Sequence, residues 1–219
     1  MLSTNQIKFY KSLQQKKHRD AERCFVAEGE KLVKDLLDSD LKLVKCFQTE
    51  VSIEEAEKVS SKEMDRISGL KSASSTYAVF EQPNWNLDEL NDLIVCLDGV
   101  KDPGNLGTII RLCDWFGIKD LVCSKQTVDC YNPKVVQASM ASLARVQCQY
   151  TDLNEFLSNT SLPIFGTYLV GKSIYETAFP EDAILVMGSE ANGISTELEA
   201  LIEQKVTIPK KTVNGPESL

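Results

Sequence analysis

The sequence has little of what metal-binding and dinucleotide-binding proteins need. It contains one histidine, His18, and none of its seven cysteines forms a Cys-x-x-Cys pair, so no metal site is predicted. No Gly-x-Gly-x-x-Gly segment occurs, which argues against a Rossmann-type dinucleotide site. Residues 188–193 have the glycine spacing of a P-loop, but Ile194 and Ser195 follow where Lys and Ser or Thr are required. Any cofactor must therefore be held in another way.

The sequence also lacks a run of about 18 apolar residues and a charged-then-apolar leader segment. Neither a membrane-spanning helix nor secretion is therefore predicted. The seven cysteines are odd in number and scattered, and most lie within apolar runs, as Cys96, Cys113 and Cys123 do. They indicate reduced core residues of a cytoplasmic protein.

The charge is unevenly distributed along the chain. The formal net charge of −8 argues against a nonspecific nucleic-acid binder. Residues 1–45, however, carry ten Lys or Arg against seven Asp or Glu, a net of +3, which leaves about −11 on the remainder. This pattern fits an RNA-guiding module attached to a catalytic domain, although a solvated helix surface would look the same. The candidate RNA-binding residues are Lys16, Lys17 and Arg19.

Residues 93–117 predict a buried strand followed by a turn and a helix. Leu93–Leu97 is a continuous apolar run, typical of a strand covered on both faces of a parallel sheet. Glycine and proline interrupt it between residues 98 and 104, and Gly117 is a candidate helix stop. The apolar face of the helix is predicted to consist of Leu106, Ile109, Ile110, Cys113 and Phe116.

The face of this helix that points away from the predicted core carries an arginine. Arg111 lies opposite the apolar face, about one turn beyond Gly107. We expect Asn105, Gly107 and Arg111 to face one cavity at the carboxyl end of the strand, where open α/β sheets bind ligands.

From residue 92 onward, strand and helix patterns alternate. Strands are predicted at 93–97, 121–123, 146–150, 164–169, 184–187 and 205–208. Helices are predicted at 106–116, 133–144, 152–157 and 196–202. Such alternation indicates an α/β domain with a parallel sheet covered by helices on both faces.

Residues 1–80 predict a smaller α/β unit, joined by a linker at 81–91 to a domain at 92–219. Its helices are predicted from residue 3 or 4 to about 15 and at 30–37, 53–57 and 61–67, and its strands at 25–28 and 41–48.

Three segments resemble, in order, the three motifs of the SpoU/TrmH branch of the SPOUT RNA methyltransferases. They are NLGTIIR at 105–111, LVMGSEANGIS at 185–195 and IPKKTVNGPESL at 208–219. Residues 1–80 resemble the substrate-binding domain of many SpoU-type enzymes, which is similar to ribosomal proteins that bind kinked RNA. The resemblance covers essentially the whole chain. It implies a SPOUT-type parallel sheet with a C-terminal trefoil knot, S-adenosyl-L-methionine as cofactor, and a homodimer.

The resemblance also implies the catalytic residues. Arg111 corresponds to an arginine proposed to activate the ribose 2′-hydroxyl, with Asn105 and Glu190 arranging it. The residues themselves leave other interpretations open. Arg111 could form a surface ion pair with Asp114, Asn105 could simply cap its helix, and Glu190 could be an ordinary loop residue.

By the same resemblance, Gly188, Ile208 and Leu219 hold the cofactor, and Thr167 is a weaker candidate for the same pocket. Gly188 is expected where a ligand approaches the backbone, with a tight turn as the alternative. Ile208 could also be plain core. The family's third motif continues into a closing helix, which we expect to be missing after Leu219.

The leading hypothesis is an S-adenosylmethionine-dependent RNA 2′-O-ribose methyltransferase that acts on ribosomal RNA rather than transfer RNA. Two alternatives remain: a noncatalytic RNA-binding or ribosome-assembly protein with the same fold, and a transfer-RNA 2′-O-methyltransferase.

Overall fold

Two β-sheets organise the chain, one formed before and one after residues 86–91. The computed structural model describes residues 1–85 and 92–210. These fall into two compact units that are interleaved in sequence. Unit 1 contains residues 1–84, 103–112 and 129–145, and unit 2 contains residue 85, residues 92–102 and 113–128, and the described residues from 146 onward. The contiguous domains 1–80 and 92–219 therefore remain a prediction about sequence modules, because the contacts divide the chain differently.

The sheet of unit 1 has four strands in the order β1–β4–β2–β3. They are β1 Cys24–Glu28, β2 Leu43–Gln48, β3 Ala56–Lys58 and β4 Thr76–Glu81. β4 pairs antiparallel with β1 and β2, whereas β2 and β3 are parallel. The helix predicted at 53–57 is wrong, because Ala56–Lys58 pairs with β2 as a strand. β4 was not predicted, although it lies between β1 and β2.

Four helices belong to the N-terminal part of unit 1. They are α1 Thr4–Ser12, α2 Lys16–Glu22, α3 Glu30–Leu37 and α4 Ser61–Ile67. Capping boxes start α1 and α4, in which Ser3 pairs with Gln6 and Ser60 with Glu63. The sequence analysis did not predict α2, because its N-cap residue, Gln15, makes no side-chain capping bond. The core beneath α1 and α4 includes Leu13, Phe47, Met64, Ile67 and Tyr77.

The sheet of unit 2 has six strands in the order β10–β8–β9–β5–β6–β7. All neighbouring strands are parallel, which confirms the predicted sheet type. The strands are β5 Leu93–Asp98, β6 Asp120–Ser124, β7 Gln147–Thr151, β8 Ile164–Ser173, β9 Ala183–Gly188 and β10 Gln204–Thr207. Each of the six predicted strands is present. Because β5 and β9 pair in parallel, their carboxyl ends are adjacent.

The helices after residue 92 are α5 Pro103–Trp115, α6 Pro133–Ser139, α7 Leu153–Ser158 and α8 Thr196–Glu199. Short 3₁₀ helices lie at Met140–Ala144 and Ile174–Glu176. α6 ends earlier than predicted, because Met140 adopts a positive φ of 53°. Within unit 1, α6 packs against β1 and the Met140–Ala144 helix packs against α3.

Phe116 does not belong to the apolar face of α5, in contrast to the prediction. The helix ends at Trp115, and Gly117 turns the chain with a φ of 73°. The helical period therefore stops before Phe116, whose side chain is 72% exposed. Leu106, Ile110 and Cys113 are buried as predicted.

No helix within residues 1–85 and 92–210 combines the length and apolarity needed to cross a bilayer.

Candidate active site

α5 presents the first motif with its two faces separated, as the sequence pattern predicts. Leu106 and Ile110 are fully buried, while Arg111 is exposed on the opposite side. A guanidinium keeps its charge at any physiological pH and can donate several hydrogen bonds. The helix therefore holds an accessible cation on a rigid element.

Gly107 faces α6 and not a cavity, which corrects the prediction. A Cβ at this position would lie 2.4 Å from the Ala138 Cβ and 2.9 Å from the Ser139 backbone nitrogen. These are distances that real Cβ atoms do not show, so the two helices can approach only because residue 107 has no side chain. The glycine of the first motif thus serves helix packing within unit 1.

Asn105 is half-buried in the first turn of α5. The helix begins two residues earlier, at Pro103, whose fixed φ suits a first helical position. Asn105 is therefore not the N-cap residue, and that interpretation is wrong. Its amide lies on the same helix as Arg111, within unit 1.

The second motif forms a closed turn directly after β9. The Ser189 nitrogen donates to the Gly193 carbonyl at 3.1 Å, and the Gly193 nitrogen donates to the Ser189 carbonyl at 2.8 Å. The Ser189 hydroxyl also accepts a hydrogen bond from the Asn192 nitrogen at 3.2 Å. Glu190 lies on this turn with its side chain exposed. The turn therefore displays a carboxylate at the carboxyl edge of the sheet.

Gly188 is required by this turn itself. A Cβ there would lie 2.0 Å from the Gly193 carbonyl carbon and 2.2 Å from the Ile194 nitrogen. The chain thus crosses over itself where a side chain would stand. The tight-turn interpretation explains the glycine, so a closely approaching ligand is not needed to account for it.

Asp98 is a functional candidate that the sequence analysis overlooked. It is the last residue of β5, in parallel register with Gly188 of β9. Its Oδ2 atom accepts a hydrogen bond of 2.7 Å from the Ser195 backbone nitrogen. The carboxylate thus ties the end of the second motif to the end of β5. The sequence feature that could have identified Asp98 is its position as a polar residue at the end of an apolar strand.

The remaining cofactor candidates lie on β8 and after β10. Thr167 is half-buried, and its hydroxyl donates to the Val186 carbonyl at 3.3 Å. Ile208 follows β10 and is 48% exposed, so the interpretation of plain core is wrong. Leu219 lies outside the described residues, as does the third motif from residue 211 onward. Thr167, Gly188 and Ile208 are the cofactor candidates among the described residues, and all three belong to unit 2.

The three RNA-binding candidates have different environments within unit 1. Lys17 is exposed, and Lys16 is exposed but paired with Asp20 at 2.9 Å. Arg19 is only 2% exposed and lies 2.6 Å from Asp129. The prediction for Arg19 is wrong because this ion pair holds its guanidinium inside the unit.

Family models match the chain in two consecutive stretches. Residues 92–219 match the SpoU rRNA Methylase family, and residues 4–83 match an MRM3-like substrate binding domain. The first match alone covers more than half of the chain.

Known proteins resemble the chain over most of its length. A curated relative, the 23S rRNA (guanosine(2553)-2′-O)-methyltransferase RlmP of Bacillus subtilis, is 25% identical over 93% of this chain and 86% of its own length. Three further curated methyltransferases are longer, and the matched stretch spans between 43% and 58% of them.

Two solved structures match the fold closely. A putative RNA methyltransferase of the TrmH family from Porphyromonas gingivalis is 39% identical, with a TM-score of 0.89 over 100% of this chain and 93% of that one. An AdoMet-bound rRNA methyltransferase from Sinorhizobium meliloti is 28% identical, with a TM-score of 0.84 over 100% of this chain and 92% of that one. Together with the match of residues 92–219 to the family model, these similarities establish that the chain belongs to the SpoU rRNA methylase family.

Proposed function

We propose that this protein transfers a methyl group from S-adenosyl-L-methionine to a ribose 2′-hydroxyl of ribosomal RNA. The observation that carries the proposal is the match of residues 92–219 to the SpoU family on a fold that displays both described motifs. The first motif exposes Arg111 on α5, and the second displays Glu190 on a closed turn after β9.

The residues of unit 2 fit this cofactor. An adenosine group needs apolar surface for its ring and backbone hydrogen-bonding groups for its edge. Apolar side chains are exposed on the second half of β8 and after β10, where Leu169, Val170 and Ile208 are 70%, 85% and 48% exposed. Thr167 within β8 and the turn after Gly188 at the end of β9 supply polar groups. When bound, S-adenosylmethionine supplies an electrophilic methyl group on a sulfonium centre.

Arg111 orients the RNA in this proposal. A guanidinium is a poor base in water. It can still clamp a phosphate or hold the ribose 2′-oxygen by charge-assisted hydrogen bonds. The same cation stabilises negative charge that develops on that oxygen as it attacks. Much of the rate enhancement then comes from holding the oxygen in line with the methyl group.

Ribosomal RNA is the favoured substrate because residues 4–83 match a substrate-binding domain and a relative of nearly full length acts on 23S rRNA. Exposed lysines of unit 1 can contact the phosphate backbone, which attracts cations regardless of sequence. Lys16 and Lys17 remain candidates for this contact, with Lys16 exchanging Asp20 for a phosphate.

Two further properties of the family are part of the proposal. A trefoil knot is expected in the C-terminal part of the chain, as in related folds.

A homodimer is supported by Trp115 and Phe116 of unit 2, which are 83% and 72% exposed. Large apolar side chains at one place on a surface favour contact with a second copy. Sedimentation of Trp115→Glu against the native chain tests this contact.

A reducing compartment, the cytoplasm, is also proposed. All seven cysteines lie in the described residues and none forms a disulfide. Disulfides are rare where thiols are kept reduced.

The test is methyl transfer to deproteinised ribosomal RNA and, separately, to transfer RNA, followed by mapping of 2′-O-methylated nucleotides. We expect ribosomal RNA to be methylated at one site. Arg111→Ala should lower the rate constant by about 100-fold or more while cofactor affinity, measured by calorimetry, changes less than about twofold. Lys119→Ala removes an exposed cation elsewhere and should leave both quantities unchanged.

The other outcomes separate the alternatives. Cofactor binding without transfer to any RNA would make the protein a noncatalytic RNA-binding member of the family. Methylation of transfer RNA alone would keep the chemistry and overturn the substrate. Absence of cofactor binding would refute the proposed activity.

A further inference from the structure

We propose that Asp98 is a positioning residue, whose carboxylate holds the Glu190-bearing turn at the end of β5. The assignment of a role in cofactor binding rests on the proposed function. The hold on the turn itself rests on contacts within unit 2 alone.

The first argument is geometric. Asp98 ends β5 and is in register with Gly188, the residue that ends β9. Between Gly188 and Ser195 the chain makes the turn that displays Glu190, and it then enters α8. The 2.7 Å bond from the Ser195 nitrogen to Asp98 Oδ2 joins the far end of this segment back to the sheet. Strand and carboxylate therefore fix both ends of the turn.

The second argument is that the other contacts of the turn do not bind the backbone nitrogen of Ser195, which bonds to Asp98. The Ser189–Gly193 bonds and the crossing at Gly188 shape the turn internally. Ile194 is buried in the core cluster that packs beneath β8 and β9. These contacts hold the turn as far as Ile194, but none of them involves the Ser195 backbone nitrogen. Ser195 is exposed, so its backbone nitrogen would otherwise be bonded to exchanging water.

The third argument concerns charge. Ser195 is the N-cap residue of α8, and it makes no side-chain capping bond. A carboxylate that accepts from a backbone nitrogen at a helix start gives a charge-assisted bond, stronger than a neutral one. Asp98 thus accepts, from another strand, the hydrogen bond of the cap residue's own backbone nitrogen, a role that an N3 side chain fills in a capping box. This contact is unavailable to any sequence analysis of α8 alone, since the partners are 97 residues apart.

The test compares Asp98→Ala and Asp98→Asn with a matched control, Asp152→Ala. Asp152 caps α7 in the same unit, and its Oδ1 accepts from the Asn154 and Glu155 nitrogens at 3.0 and 3.3 Å. It thus makes the same kind of contact away from the turn. The first measurement is amide hydrogen exchange of residues 189–195 without cofactor. The second is S-adenosylmethionine affinity by calorimetry.

We expect Asp98→Ala to speed exchange at Gly193 and Ser195 by about tenfold or more and to weaken cofactor binding by a similar factor, in line with the loss of one charge-assisted bond. Asp98→Asn keeps an oxygen acceptor and should lie between this variant and the native chain. Asp152→Ala should lower the melting temperature about as much as Asp98→Ala does. It should leave both the hydrogen exchange of the turn and the cofactor affinity unchanged.

Unchanged exchange in Asp98→Ala would overturn the hold on the turn. Faster exchange with an affinity within twofold of the native value would overturn its role in cofactor binding. If the native chain itself binds no S-adenosylmethionine, the proposed function fails, whereas the exchange measurement still decides whether Asp98 holds the turn.

Discussion

The Nη2 atom of Arg19 lies 2.6 Å from the Oδ2 atom of Asp129, and only 2% and 9% of these side chains are exposed. The other terminal nitrogen of Arg19 donates to the carbonyls of Leu13 and Gln14 at 3.0 and 2.9 Å. One guanidinium thus ties the loop between α1 and α2 to the start of the 129–145 segment within unit 1. A residue expected to contact RNA instead connects two distant parts of the chain.

Arg19→Ala should destabilise the protein by about 3–5 kcal/mol, because the Asp129 carboxylate would be left buried without its partner. Urea unfolding measures the change. Lys16→Ala breaks an ion pair whose side chains are 63% and 51% exposed and should cost less than about 1 kcal/mol. If the two substitutions lower the free energy of unfolding equally, the buried Arg19–Asp129 pair stabilises the protein no more than the exposed Lys16–Asp20 pair does.

Gly107→Ala should destabilise the protein by about 1–3 kcal/mol, since the new methyl group overlaps Ala138 of α6 and the helices must separate. On helix propensity alone the same substitution would stabilise, so the sign of the effect distinguishes the two explanations. The neighbouring Thr108→Ala alters an exposed position of the same helix and should change the free energy of unfolding by less than about 0.5 kcal/mol. Thermal or urea unfolding of both variants is the measurement.

The cysteines of the native protein should not react with thiol reagents at pH 8. All seven are buried, and burial raises the pKa of the Cys46 thiol to about 11 and that of the Cys113 thiol to about 12. Only the thiolate is nucleophilic, so both access and ionisation oppose the reaction. Ellman's reagent should therefore detect no thiol in the folded protein and seven in urea. Rapid labelling of even one native thiol would contradict this.

Glu63 should make stability depend on pH in the acidic range. Hydrogen bonds from the Ser60 hydroxyl and nitrogen and from the Leu2 nitrogen lower the pKa of its carboxyl to about 2. Because the folded pKa lies below the unfolded value, its stabilisation is fully present above about pH 4.5 and is lost as the pH falls through about 2.

The melting temperatures of the native chain and Glu63→Gln should therefore differ most above pH 5 and converge towards pH 2. Asp65→Asn removes one negative charge from the same helix and serves as the comparison. A difference that stays constant between pH 5 and pH 2 would exclude this linkage.

Local pattern was enough to predict the parallel sheet. The apolar runs of β5, β6 and β9 predicted central strands because a strand buried on both faces has no polar alternation. The helix predicted at 61–67 is α4, and it begins at a capping box of Ser60 and Glu63 that is complete within four residues. In the candidate active site, Arg111 and Glu190 were selected by resemblance to the family's motifs, each of which is a short segment that follows a strand.

Contacts between distant residues decided what the pattern could not. Ala56–Lys58 became a strand only because β2 offers a parallel edge. Arg19 and Asp98 look like ordinary charged residues in the sequence, yet their partners lie 110 and 97 residues away. Gly107 and Gly188 were recognised as important, but whether helix packing, a chain crossing or a ligand required them depended on the atoms opposite their missing side chains. The sequence by itself determined the six strands of the parallel sheet and the motifs that the chain carries, but not α2, β3 or β4. Only the tertiary structure decided which side chains remain accessible, because burial and pairing of a charge depend on neighbours brought together by folding.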